Sequence, residues 1–370
     1  MQRDLGSRDV EFVEIVREIR QRLLALTGAS ERTHTAVLMQ GSGTFGLESV
    51  ISSVIPPDGK LLVVENGAYG RRMRKIADVL RVPASSLVIA ENRLATADVV
   101  CRRLESDGTI THVAVVHCET TSGIVNPVGD IGAVVRGRHL CFIVDAMSSF
   151  GAIPLDLTEA GIDILVSSAN KCIEGVPGFS FVLASKQALP VGAGFARSLS
   201  LDLIAQLERL ERDGQFRFTP PTHALLAFRQ ALLELEQEGG VAGRADRYKA
   251  NHDALIVGMR EMGFREYLSP EDQGYIITSF RYPADPAFDF ERFYGLLNER
   301  GYVIYPGRLG EADCFRIGTI GRITVGDVRG LLAAIRETLG DMAIRTPLAD
   351  ANGPQLGRAA RQRHAGRQTC

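Results

Sequence analysis

Two apolar runs that each end in a single kind of chemistry constrain this chain more than any other feature. They lie in the stretch from Cys141 to Gly178, CFIVDAMSSFGAIPLDLTEAGIDILVSSANKCIEGVPG. Phe142 to Val144 closes on a lone acid, Asp145. Ile162 to Val166 leads into Ser167, Ser168, Ala169, Asn170 and Lys171. Runs of this length and composition read as buried parallel strands, each delivering polar groups at its carboxyl end. In open α/β sheets that end is where ligands bind.

An acid and a lysine on neighbouring strand ends suit pyridoxal phosphate. That cofactor takes a lysine amine for covalent attachment and a carboxylate that keeps its pyridine nitrogen protonated. The two residues alone also fit a plainer pair, a strand-end Asp capping a loop and a surface Lys lying along apolar neighbours.

The chain has 370 residues, enough for one large and one small domain. A formal net charge of −2 gives no electrostatic reason to expect nucleic acid or an anionic membrane as partner. The apolar runs are strand-length, short of the roughly 20 residues of a membrane span, and MQRDLGSRDVEF contains no signal-peptide core. The cysteines (Cys101, Cys118, Cys141, Cys172, Cys314 and Cys370) form no CxxC pair and no zinc spacing. A soluble, cytoplasmic, metal-free protein with buried free thiols is expected.

Helical periodicity over Val10 to Leu26 predicts an amphipathic helix. After it, Ala36 to Met39 runs into Gln40-Gly41-Ser42-Gly43-Thr44 and a helix-like stretch from Phe45 to Val54. Strand, Gly-rich turn and helix make an anion site of free N–H groups and a positive helix end, with the Ser42 and Thr44 hydroxyls as extra donors. A tight turn with a helix N-cap is the other reading. No Lys follows the second Gly, so the turn is not a Walker motif, and the spacing is not GxGxxG, which disfavours a nicotinamide dehydrogenase. Alternation continues with strands at Leu61–Val64, Leu87–Ala90 and Val113–Val116 and a helix from Tyr69 to Leu80. Such repeated units argue a largely parallel, helix-covered sheet. His117 ends the last of these strands, as a structural residue or a base. Thr120 and Thr121 follow where a hydroxyl reaches either a bound ring or the next turn.

Phe179 to Ala184 is a further strand, Leu199 to Arg212 a helix, and Pro220-Pro221 forces extended chain until Thr222 caps a helix over Ala224 to Glu238. From about residue 240 the pattern changes. A long helix over Arg244 to Met262 precedes strands at Tyr275–Phe280, Tyr302–Tyr305 and Cys314–Ile317, with helices at Phe290–Glu299 and Thr324–Leu339. This is a compact α+β unit. Arg316 lies inside its last strand among apolar neighbours and calls for an anion, either a structural carboxylate or a bound substrate. The large domain is expected over residues 1–239, the small one over 240–343, and a polar, basic, disordered tail over 344–370.

The segments QGSGTFGLES, NGAYGRRM, HCETTSGIVNP, IVDAMSSFGAIPLD, SSANKCIEGVPGF, GQFRFTPPTH and YPGRL…FRIG together resemble the class V branch of the fold-type I aminotransferases, from about residue 8 to residue 340. The resemblance implies an α/β large domain with a mainly parallel sheet of the seven-stranded type, a small C-terminal α+β domain, pyridoxal 5'-phosphate as cofactor, and a homodimer with shared active sites. It implies Lys171 as the covalent anchor and proton carrier, with Asp145 on the pyridine nitrogen. Ser42, Gly43 and Thr44 would hold the phosphate with Thr219 of a second subunit, and Thr120 and Asn170 would support the ring. Arg316 would bind the acidic end of both substrates. The wording of ANKCIEGVPGF and RFTPPTH is similar to that of the branch that moves an amino group from 2-aminoethylphosphonate to pyruvate. An alanine–glyoxylate or serine–pyruvate aminotransferase, or a catalytically impaired cofactor-binding relative, keeps the same fold. A cysteine desulfurase needs a mobile reactive thiol that neither Cys314 nor Cys370 provides. Tyr69 and Met73 are the candidates for stacking on the ring. The family's pattern has a Pro-Gly-Pro turn ahead of the first helix; RDLGSRDVEF carries none, so the large domain is expected to be truncated there.

Overall fold

Apolar runs without alternation, such as LLVVE and HVAVV, are stable only when covered on both faces, and the computed structural model covers them with helices. It describes residues 4–189, 194–310 and 312–348. The chain begins α1 (Val10–Ala25), β1 (His34–Gln40), α2 (Gly43–Val54), β2 (Leu61–Glu65), α3 (Ala68–Val79), β3 (Ala84–Val88), α4 (Ala97–Glu105) and β4 (His112–Val116). A short hairpin, β5 (Cys118–Glu119) and β6 (Ile124–Val125), precedes α5 (Val128–Arg136), β7 (Cys141–Asp145), β8 (Ile164–Ser168) and β9 (Phe179–Ser185). Helices α6 (Leu203–Asp213), α7 (Thr222–Gln237) and α8 (Gly240–Glu261) lead to β10 (Ile277–Arg281), α9 (Phe290–Glu299), β11 (Tyr305–Leu309), β12 (Ala312–Gly318) and α10 (Val325–Asp341).

The main sheet is seven-stranded in the order β1-β9-β8-β7-β4-β2-β3. Strand β9 runs antiparallel to both β1 and β8, and the remaining pairs are parallel. Six carboxyl ends therefore share one edge of the sheet. The expected fold class, an α/β sheet of mainly parallel strands, is the one observed. A second, three-stranded antiparallel sheet has the order β10-β12-β11.

Two apolar cores result. One runs from Leu5 to Leu235 around the large sheet, the other from Leu255 to Ile344 around the small one. A third cluster, Cys118, Ala152, Cys172, Tyr248 and Ile276, sits at the seam between them. The small core is rich in phenylalanine, with Phe264, Phe280, Phe293 and Phe315 packed ring against ring. Such aromatic pairs contribute roughly 0.5–1.5 kcal/mol each beyond the area they bury.

Several boundaries move from their expected places. The third strand forms at Ala84–Val88 rather than Leu87–Ala90, because it is a half-exposed sheet edge whose serines blur the apolar signal. Strand β11 starts at Tyr305, and residues 302–304 lead into it as irregular chain. Pro306, which has no N–H to donate, is tolerated there because β11 is an edge strand. Helix α8 begins four residues before its expected start, at Gly240. The expected tail begins too early: Ile344 is buried in the small core, and Leu348 N–H donates to the Met262 carbonyl at 2.8 Å. The rest of that tail, residues 349–370, lies outside the described residues.

Candidate active site

The carboxyl edge of the large sheet gathers the expected groups because each follows a strand directly. Asp145 is the last residue of β7, in register between Val116 of β4 and Val166 of β8. Burial pushes its carboxyl group up to about 6, opposed by the Met147 N–H on Oδ1 at 2.9 Å and by the positive charges of Arg72 and Lys171. Among the described residues nothing donates to Oδ2, which leaves that oxygen for a cationic N–H.

Lys171 follows β8 on a closed turn. Ala169 N–H donates to Phe179 at the head of β9 (3.2 Å), Glu174 N–H to the Lys171 carbonyl (2.8 Å) and Gly175 N–H back to Ala169 (3.0 Å). The backbone is thereby fixed while the side chain, half-buried, makes no hydrogen bond or ion pair among the described residues.

After β1 the chain turns through Gly41 into α2. Ser42 has N-cap backbone geometry but does not cap with its side chain. Phe45 and Gly46 N–H both bond to the Ser42 carbonyl, and the first turn of α2 holds no acid. The Gly43 and Thr44 N–H groups are therefore left for a ligand, at the positive end of the helix. A Cβ at Gly43 would fall on the Met147 sulfur, two residues after Asp145, so a larger residue there displaces that side chain. Thr219 is exposed, and its carbonyl accepts from the Gln40 side chain at the end of β1.

A cleft of about 550 Å³ opens beside this edge, lined among others by Tyr69, Thr120, Asn170, Lys171 and Arg316. Its far wall is β12 and the chain that follows it. Arg316 Nη1 donates to the Thr120 carbonyl at 3.0 Å, so the small sheet touches the hairpin after β4. Its Nε and Nη2 donate to the Pro306 carbonyl at 3.3 and 3.0 Å. No described carboxylate pairs with it, and of the two anions considered for Arg316 the structural one is not found. The cleft thus unites Thr120, Asn170, Lys171 and Arg316, while Ser42, Gly43, Thr44 and Asp145 form the sheet edge beside it and Thr219 stands at the end of β1.

Of the two stacking candidates only Tyr69 lines the cleft; Met73 is fully buried in the large core, one turn farther along α3. His117 is structural. Its N–H donates to the Asp145 carbonyl at 2.8 Å, its ring is buried with Nδ1 unpartnered, and burial lowers its pKa to about 4.

Two functional groups were not legible beforehand. Arg72 reaches from α3 to Thr44 Oγ1 at 3.4 Å and lies over the Tyr69 ring, 4.8 Å from its centre. It brings a positive charge to the α2 turn. Glu119 is buried and accepts from the Tyr69 and Gly70 N–H groups at 2.9 and 2.8 Å and from Thr121 Oγ1 at 3.0 Å. Burial pushes it up to about 7 despite these donors. It caps α3 and so fixes the position of Tyr69. The motif places Glu119 beside Thr120, but nothing in the sequence tells that it faces the helix after β2.

Comparison with known proteins follows the same line. The family model described as aminotransferase class-V matches residues 1–308. The 2-aminoethylphosphonate–pyruvate transaminase of Syntrophobacter fumaroxidans is 50% identical over 340 residues, 92% of this chain and 91% of that relative. The crystal structure of pyridoxamine–pyruvate aminotransferase from Mesorhizobium loti superposes with a TM-score of 0.84 at 25% identity, covering 93% of this chain and 88% of that one. Ureidoglycine–glyoxylate aminotransferase from Bacillus subtilis gives 0.83 at 23% identity, over 95% and 90% of the two chains.

Proposed function

Because the chain belongs to the class-V aminotransferases, we propose that it moves the amino group of 2-aminoethylphosphonate to pyruvate, giving phosphonoacetaldehyde and L-alanine. The observation that supports this most directly is the shared cleft, in which the Lys171 amine and the Arg316 guanidinium line the same space. The relative with half its sequence in common is named for that reaction.

Pyridoxal phosphate is the cofactor; when bound it supplies an electron sink and carries the amino group between the two half-reactions. The residues present fit it: an unused helix N-terminus with a hydroxyl on either side of Gly43, a buried carboxylate with one free oxygen, and an amine held on a fixed turn. In this reading Ser42, Gly43 and Thr44 bind the phosphate, helped by Arg72 and by Thr219 of a second copy of the chain. Asp145 keeps the ring nitrogen protonated. Tyr69 covers the ring face, and Thr120 and Asn170 bond its oxygen. Lys171 would hold the cofactor by its amine and, once displaced, would carry a proton from the donor carbon to the cofactor carbon on the other side of the transferred nitrogen. Arg316 accommodates a phosphonate and then a carboxylate, because a planar guanidinium offers paired donors to either.

A homodimer with shared sites is part of the proposal. Phe45, Val176 and Phe218 are apolar, close to half exposed, and flank the α2 turn, the Lys171 turn and Thr219. Solvent-exposed apolar groups so placed suit an interface. No described helix is long and apolar enough to cross a membrane, and we place the protein in the cytoplasm.

The test is an absorbance scan of the purified, cofactor-loaded protein before and after 2-aminoethylphosphonate alone, followed by pyruvate. Bleaching of the visible band by the donor, then its return with pyruvate and release of alanine, is expected. Bleaching by serine or alanine but not by the phosphonate would replace the proposed donor. No visible band at all would remove the cofactor assignment.

A further inference from the structure

The chain after Lys171 folds back with Glu174 in the left-handed backbone region, at φ 63°. A residue with a Cβ costs roughly 1–2 kcal/mol there, and such strain persists only where the surroundings over-determine it. Here α8 supplies the surroundings. Glu174 Oε1 accepts from Tyr248 OH at 2.7 Å and from Arg247 Nη2 at 2.8 Å, with Arg244 Nη1 at 3.4 Å. Arg244, whose side chain is 2% exposed, also donates to the Cys172 carbonyl. Glu238 pairs with both arginines from the opposite side, Nε of each at 2.7 Å, so two guanidinium charges meet two carboxylates. The turn that carries Lys171 is thereby gripped both at its carbonyl row and at Glu174.

The same α8 side chains hold the far wall of the cleft. Tyr248 OH accepts from Gly321 N–H at 3.1 Å, Arg247 Nη1 donates to the Gly321 and Ile323 carbonyls at 2.7 and 3.2 Å, and Asn251 donates to Ile323 at 2.9 Å. Gly321 and Ile323 lie in the loop that follows the strand bearing Arg316, and Ile320 and Ile323 line the same cleft as Lys171. One carboxylate oxygen is therefore the meeting point of the lysine turn and the wall that carries Arg316.

We propose that Glu174 is a positioning residue for the amino transfer, fixing the Lys171 turn and the Arg316 wall at a set separation through Tyr248 and Arg247. This rests on the reading of Lys171 and Arg316 given above. The donor must meet both ends at once, its amine at Lys171 and its anion at Arg316, and the distance between them is set by this clamp. An error of about 1 Å in such a span is enough to cost up to about 100-fold in rate.

Three variants and three readouts test it on the cofactor-loaded protein. In Glu174→Ala the single-turnover bleaching of the visible band by 2-aminoethylphosphonate is expected to slow by about 10-fold or more. Its cofactor retention through dialysis is expected to stay near that of the parent, while its Tm falls because Arg244 and Arg247 lose one of their two carboxylates. Glu174→Gln keeps the shape and loses part of the effect only. Tyr248→Phe slows the reaction in the same sense, and the double variant Glu174→Ala/Tyr248→Phe is no slower than Glu174→Ala, since both act through one contact. The pH at which the visible band titrates shifts in Glu174→Ala, because the amine changes its surroundings. A parent-like rate and band titration in Glu174→Ala, with a lowered Tm, would make the cluster a structural clip and overturn the proposal. If Glu174→Ala does not fold, an unaltered rate and titration in Tyr248→Phe has the same force. Should the parent protein bind cofactor but not bleach with the phosphonate, the substrate reading fails, and the band titration alone decides on Glu174.

Discussion

The two walls of the cleft are built in opposite ways. On the large-sheet side every group stands at the end of a buried strand or in the turn just after it, so position follows from the hydrogen-bond ladder. Asp145, Thr120 and the α2 turn take their places from that ladder, and Lys171 stands just past β8 on a turn that Glu174 ties to α8. On the small-sheet side Arg316 sits within β12, beside an edge strand with its neighbours Val303 and Tyr305 well exposed, and is aimed by carbonyl groups of other segments. The first wall is rigid and suits a constant cofactor. The second sets its recognition group beside an exposed edge strand, and it is where a change of substrate is accommodated most easily.

Substitutions divide along the same line. Lys171→Ala should have the largest effect, with turnover falling by about 10³-fold or more and covalent retention of the cofactor lost. Turnover assays and dialysis with absorbance detection check it; retained covalent cofactor would place the anchor elsewhere. Asp145→Asn should follow, losing about 10²-fold as the ring nitrogen loses its anionic partner, while the protein stays folded by circular dichroism. Arg316→Ala acts on the other wall. It should raise KM for the phosphonate by about 10- to 100-fold, the worth of a charge-assisted hydrogen-bonded pair, with the visible band unchanged. Loss of the band in Arg316→Ala would show that the walls are not separable.

The smallest effects sharpen the comparison through pH. Glu119 has its folded pKa raised to about 7 by burial, so the folded state binds the extra proton between about 4.5 and 7. Its contribution to stability is present at low pH and is lost as pH rises through that window. His117 has its folded pKa lowered to about 4, so the unfolded chain binds the extra proton between about 4 and 6.5, and stability falls as pH drops through that range. The two oppose each other, each on the order of 1.4 kcal/mol per pH unit. In urea unfolding series, Glu119→Gln should make stability climb more steeply from pH 4.5 to 6.5, and His117→Phe should flatten it. Identical slopes in all three proteins would mean that neither group titrates with unfolding.

The large sheet was legible for the same reason that it is rigid. Uninterrupted runs such as FIVD and ILVSS specify buried parallel strands, and a residue at a strand end has its location in the sequence. Strands read less well where one side met solvent, as at Ala84–Val88, or where an edge tolerated a proline, as at Pro306. The helices α4 and α5 and the β5–β6 hairpin are absent from the sequence reading, and each is short, the helices nine residues and the strands two. The candidate site divided likewise. Lys171, Asp145 and the α2 turn are visible as motifs. Arg72, Glu119 and Glu174 act through contacts to elements remote in the chain, and no spacing announces such contacts. The preference between Tyr69 and Met73 was open for that reason, since both lie on the same helix and only its orientation buries Met73.

Strand β1 has a single neighbour, β9, and the two run in opposite directions. On the ribosome this means that residues 34–40 emerge long before residues 179–185 can pair with them. At roughly 5–20 residues per second the wait is on the order of ten seconds. Through that time the α2 turn has no sheet to stand on and α1 has no α7 to pack against. Nascent chains that stop short of Phe179 should expose β1 and be targets for chaperones, while those that have cleared the exit tunnel past Gln237 should hold it. The α2 turn is therefore encoded near the start of the message and assembled only as its second half is translated.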